Sequence, residues 1–142
     1  RIFNTIGPND PNSHLIPDIV KQIDFKLKKH LVLLGNTRNR RDYIDVRDTA
    51  KYLSLMIEKK SISKIEILNV CSQVDYSVRD IVKAISRVLK NKINIKIDTN
   101  KIRKIDRSSQ IGSNKKIKTL LNYKPKYKLE DSIKNILKNF RK

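Results

Sequence analysis

At 142 residues and 38% hydrophobic content, the chain is long enough for one domain with a modest core and too apolar for a disordered tail. Its 33 Lys and Arg against 14 Asp and Glu give a net charge of +19, which bears on anionic partners and not on fold. The single cysteine, Cys71, excludes an internal disulfide, and no apolar run approaches the roughly 20 residues of a membrane helix, so a cytoplasmic protein with no membrane partner is expected.

Arg1 to Pro8 reads as the end of a buried strand running into a turn, so the chain reads as a piece of a longer one. Leu15 to Leu27 spaces Ile16, Ile19, Val20, Ile23 and Leu27 along one helical face. Leu31 to Leu34 predicts a short strand ended by Gly35-Asn36, and Asp42 to Val46 predicts another beyond a basic loop. From Asp48, placed to cap backbone N–H groups, a helix follows with Ala50, Leu53, Met56 and Ile57 on one face. Lys64 to Cys71 alternates like a strand, with Asn69 expected to bond backbone and Cys71 to be a small buried residue. Ser77-Val78-Arg79-Asp80 is a variant capping box opening a helix through Leu89, with Val78, Ile81, Val82, Ile85 and Leu89 as its core stripe. Lys92 to Ile97 has the pattern of a strand with one wet face, and Asp98 to Asn114 that of a long polar loop. A short helix near Lys115 to Leu121, a break at Tyr123-Lys124-Pro125 and a helix carrying Leu129, Ile133, Ile136, Leu137 and Phe140 complete one α/β lobe over residues 1–142.

Three segments together suggest a site for a doubly phosphorylated ligand: Asn4 with Gly7-Pro8, Arg40-Arg41-Asp42-Tyr43, and Arg103 with Asp106. A pyrophosphate needs cationic or N–H donors converging from different elements, and the planar fork of Arg bonds two phosphate oxygens at once. Asp106 has the chemistry to accept from ribose hydroxyls, as acidic residues do in dinucleotide folds. Taken singly, Asn4 reads more readily as a turn residue, and Arg40, Arg41 and Arg103 as solvated surface bases. Other chemistries fail on inventory. His14, His30 and Cys71 are too few and scattered for a structural zinc site, and Gly7, Gly35 and Gly112 cannot make a dinucleotide-binding fingerprint. The net charge leaves a basic, non-enzymatic nucleic-acid-binding module as the alternative. The sequence lacks the basic-aromatic alternation that single-strand binders use for stacking.

The wording Arg1-x-Phe3-Asn4-x-x-Gly7-Pro8, His14-Leu15-Ile16-Pro17, Leu34-Gly35-Asn36, Arg41-Asp42-Tyr43-x-Asp45-Val46-x-Asp48, Asn69-Val70-Cys71-Ser72, Tyr76-Ser77-Val78 and Arg103-x-x-Asp106 resembles the latter half of the nucleotide-sugar epimerases and dehydratases, which are extended short-chain dehydrogenases/reductases. Within that family it is most similar to the GDP-mannose dehydratases and GDP-4-keto-6-deoxymannose reductases. The resemblance implies the carboxy-terminal substrate-binding lobe, with residues 1–8 closing a strand of an amino-terminal Rossmann half that binds NAD or NADP. It implies that Asn4, His14, Leu15, Arg41, Arg103 and Asp106 bind a nucleotide sugar, that Ile2 and Phe3 border the nicotinamide, and that the intact enzyme is a homodimer. The family's Arg-Pro-x-Asp loop is Arg103-Lys104-Ile105-Asp106 here, without the proline. The family's catalytic pair is a Tyr with a Lys four residues on, yet Tyr43, Tyr52, Tyr76, Tyr123 and Tyr127 are followed at that offset by Arg47, Met56, Asp80, Tyr127 and Asp131. No catalysis by this chain alone is expected.

Overall fold

The computed structural model describes residues 1–12, 14–59, 66–102 and 104–140. Two sheets organise it. In the first, β1 (Asn4–Ile6) runs parallel to the second half of β3 (Arg40–Asp45), with Asn4 opposite Tyr43. The first half of β3 pairs antiparallel with β4 (Asp75–Ser77) and parallel with β6 (Ser109–Gln110), so Arg40 and Arg41 lie between two strands. The second sheet is one parallel pair, β2 (Lys29–Leu34) with β5 (Lys92–Ile97), in register along all six residues.

Among the described residues five α-helices join and cover these sheets: α1 (Leu15–Lys21), α2 (Val46–Glu58), α3 (Val78–Leu89), α4 (Lys115–Leu121) and α5 (Leu129–Phe140). The α/β class expected from the sequence is the class observed. Helix α3 begins where its capping box predicts: Ser77 Oγ accepts from Asp80 N–H and the Asp80 carboxylate accepts from Ser77 N–H. Such a cap contributes about 1 kcal/mol. Its stripe Ile81, Val82 and Ile85 is buried in the larger hydrophobic cluster with Ile16, Ile19 and Val20 of α1, Val32 and Leu34 of β2, and Ile133 and Leu137 of α5. A smaller cluster joins Ile44, Tyr52, Leu68, Val70 and Ile117.

Several boundaries differ from the sequence reading, each for a physical reason. Helix α1 stops at Lys21, because the Gln22 side chain leaves the helix to bond β2, accepting from Leu33 N–H (2.7 Å) and donating to Leu33 O (3.3 Å). Ile23 is still buried, whereas Leu27 is 53% exposed. Helix α2 is capped by Asp45, whose carboxylate accepts from Arg47 N–H, and not by Asp48. Asp48 lies a turn inside, fully buried, accepting from Tyr123 OH (2.6 Å), Lys126 N–H and Tyr127 N–H. The inner face of α2 is therefore Asp48, Thr49 and Tyr52, while Ala50, Leu53 and Ile57 are exposed. The strand expected at Lys64 to Cys71 falls partly outside the described residues; the rest pairs through one parallel bridge, Ile2 with Val70. The polar stretch Asp98 to Asn114 contains a 3-10 turn (Thr99–Lys101) and β6.

Candidate functional site

Alternation along β3 sends Asp42 and Ile44 inward and leaves Arg41 and Tyr43 half-buried on the other face. A carboxylate inside a protein is tolerated only when its oxygens are fully engaged. Asp42, with no exposed surface, meets that condition with donors from two other segments. One oxygen accepts from Ser72 N–H (2.9 Å) and Ser72 Oγ (2.7 Å), the other from Gln73 N–H (3.0 Å) and Gly112 N–H (3.2 Å). Nothing in the sequence reading gave Asp42 this role. The available signal was its place two residues before the apolar Ile44, on the buried face of a strand. Gly112 suits the junction because a Cβ there would stand 2.6 Å from Cys71 Sγ and 2.8 Å from Phe3 Cζ.

Held this way, β3 presents Arg41 to Asp106, 65 residues further on, at 2.5 Å. Asn39 donates to the other Asp106 oxygen, and Arg41 Nη1 donates to the carbonyls of Arg40 (2.8 Å) and Arg107 (2.7 Å). Three of the five guanidinium N–H groups are thus used among the described residues, and two remain. Asn4, on the neighbouring strand, donates from Nδ2 to Asp42 O at 2.9 Å. Burial raises the Tyr43 hydroxyl above its usual range, with the Arg41 charge opposing it. Asn4, Arg41 and Asp106 are therefore grouped about β3.

The other predicted site residues within the described chain make different contacts. His14 occupies the position before α1 and binds Asp10 Oδ2 at 2.8 Å, and Leu15 packs against the larger hydrophobic cluster. Ile2 is 55% exposed beside Val70, while the Phe3 ring packs at Gly112. Arg103 lies outside the described residues. Arg40, adjacent to Arg41, is taken by Asp75, with Nε to Oδ2 at 2.7 Å. The hydrogen bond from Arg40 in turn holds the Asp75 carboxyl below its ordinary value. Among the described residues no three His, Cys, Asp or Glu side chains gather to hold a metal, and no helix is long and apolar enough to cross a membrane.

The sequence matches the family described as GDP-mannose 4,6 dehydratase over residues 1–136. It is 28% identical over 121 residues to the GDP-6-deoxy-D-talose 4-dehydrogenase of Aggregatibacter actinomycetemcomitans, a match covering 85% of this chain and 40% of that protein. The fold superposes on RMD from Pseudomonas aeruginosa complexed with NADPH, with TM-score 0.84 at 20% identity, over 99% of this chain and 46% of that one. It superposes equally on UDP-glucuronic acid 4-epimerase from Bacillus cereus in complex with UDP-glucuronic acid and NAD, with TM-score 0.83 at 18% identity, over 99% and 44%. The chain thus spans less than half the length of these relatives and corresponds to part of their α/β fold.

Proposed function

The chain belongs to the GDP-mannose 4,6 dehydratase family, and we propose that it binds and orients a nucleotide sugar, specifically a GDP-hexose, for an NAD(P)-dependent dehydratase, reductase or epimerase. The observation that carries this reading is the meeting of Arg41 and Asp106, from segments distant in sequence, on the strand whose Asp42 carbonyl Asn4 binds. Arg41 is fixed by two carbonyls and a carboxylate and keeps two N–H groups for phosphate oxygens, so its orientation is set before a ligand arrives. Arg103 is its partner on the pyrophosphate in this proposal. Asp106, held by Asn39, accepts from a ribose hydroxyl, and Asn4 offers its amide oxygen to the sugar or phosphate portion. His14 and Leu15 line the approach to the pyrophosphate at the start of α1.

A nicotinamide cofactor, when bound, supplies the hydride exchange with the hexose. The fit of this chain to it is confined to one border: Ile2 offers exposed apolar surface, the Phe3 ring packs at Gly112, and the three glycines form no phosphate cradle. Residues 1–142 act as a substrate-binding lobe, with the cofactor fingerprint and the catalytic Tyr and Lys carried by a Rossmann half, in a homodimer. The contribution of this lobe is positioning, through which binding energy remote from the reacting carbon serves the reaction.

Calorimetric titration with GDP-mannose at two salt concentrations tests the proposal, with an Arg41→Ala variant and a random oligonucleotide alongside. Saturable binding that Arg41→Ala weakens about tenfold or more is expected, since a hydrogen bond to a charged group contributes roughly 1.5–3 kcal/mol. A folded sample that ignores GDP-mannose and binds the oligonucleotide with steep salt dependence overturns it in favour of a nucleic-acid module.

A further inference from the structure

Where α3 lies over β5 the surface opens into a cavity of ≈ 540 Å³, within the few-hundred to about 1,000 Å³ range of small-molecule sites. Its floor is aliphatic: Val82 from α3, and Ile93, Ile95 and Ile97, alternate residues on one face of β5. Its rim is cationic. Arg79, Lys83 and Arg87 follow one another at four-residue intervals, which puts them on one side of α3 about 6 Å apart along the axis.

The three cations are not equally occupied. Arg79 Nε donates to Thr37 Oγ1 at 3.3 Å, and Arg87 pairs with Glu130 at 3.0 Å. Lys83, between them, has no ion pair among the described residues. Asp80, the carboxylate whose charge it feels, is engaged by the Ser77 N–H and hydroxyl and faces Arg40. An aliphatic floor beside an uncompensated ammonium selects for a ligand that has both an apolar body and an acid group. Free phosphate makes no use of the floor, and a neutral hydrocarbon makes none of the rim.

We infer that this groove binds a small amphiphilic anion, an alkyl or acyl chain lying on Val82 and the three isoleucines with its acid head group on Lys83 between Arg79 and Arg87. None of Asn4, Arg41 and Asp106 lines the cavity, so the inference stands or falls separately from the nucleotide-sugar reading.

The test is calorimetric titration of the 142-residue chain with decanoate and with decyl phosphate below their micellar concentrations. Decanol and inorganic phosphate serve as half-ligands. Lys83→Glu is compared with Lys134→Glu, the same charge change on exposed α5 surface, and circular dichroism verifies each fold. Saturable one-to-one binding of either amphiphilic acid is expected, about tenfold tighter than either half-ligand and weakened about tenfold by Lys83→Glu, with Lys134→Glu within about twofold of the parent. Equal weakening by the two lysine variants, decanol binding as tight as decanoate, or no binding of either acid overturns the inference.

Discussion

The two hydrophobic clusters are built by different forces. Around α3, side chains from α1, β2, β5 and α5 enclose Ile81 and Ile85 almost entirely in aliphatic contacts, and burial of apolar surface is the main stabilising term. Around α2 and β3 the cluster is smaller, and buried polar residues crowd against it: Asp42, Asp45, Asp48, Thr49 and Asn114. There the geometry is set by directional bonds. Asp45 accepts from Ser132 Oγ and so ties α2 to α5, Asp48 anchors the chain at Tyr123 to Tyr127, and Asn114 donates to the carbonyls of Cys71 and Ser72. Apolar packing tolerates rearrangement, whereas a buried carboxylate with four donors permits one arrangement. The candidate site belongs to the second region, where Arg41 and Asp106 must be brought together from distant segments.

This contrast can be broken at its stronger end first. Ile85→Ala in the α3 cluster, where the side chain has no exposed surface, is expected to lower unfolding free energy by about 2–5 kcal/mol in urea denaturation. Gly112→Ala attacks the polar region. Its new methyl meets Cys71 and Phe3, and a loss of about 1–3 kcal/mol follows from overpacking. Cys71 reports the same change chemically. Burial first, and the neighbouring Asp42 charge second, push its thiol up to about 11. It should resist a thiol reagent at pH 8 in the parent chain, and react faster in Gly112→Ala. The smallest effect sharpens the comparison. Ile57→Lys, at a position 86% exposed on α2, should leave stability within about 0.5 kcal/mol while reducing self-association in sedimentation, because it removes apolar surface from the outer face of that helix.

The same division decides what could be read from the sequence. The elements of the α3 region were legible because their signals are local: the Ser77 and Asp80 cap, and Ile81, Val82 and Ile85 at helical spacing. Helix α2 is legible as a helix, but of its apolar stripe only Met56 packs against the smaller cluster, while Ala50, Leu53 and Ile57 are exposed. Hydrophobic periodicity favours Leu53 and Ile57, yet Asp48, Thr49 and Tyr52 go inside because their polar atoms find partners, as Tyr52 OH does on Tyr123 O, 71 residues away. Leu27 failed for a related reason, since the end of α1 is decided by what Gln22 bonds on β2. For the site, the residue types at Asn4, Arg41 and Asp106 were visible. The capture of Arg40 by Asp75 and the gathering of loops by Asp42 were not, because both depend on a strand pairing that no local pattern announces.

The Asp42 junction also has a consequence for the time course of folding. Its bonds to Ser72, Gln73 and Gly112 bridge 30, 31 and 70 residues of sequence, so each forms only after a long loop has closed. The α3 capping box bridges 3. Interactions of the first kind are expected to be largely absent from the transition state and present in the native one, so they govern the rate of escape more than the rate of arrival. The carboxylate that aligns β3 with its loops is then also a kinetic latch, keeping the site assembled for as long as the native chain stays closed.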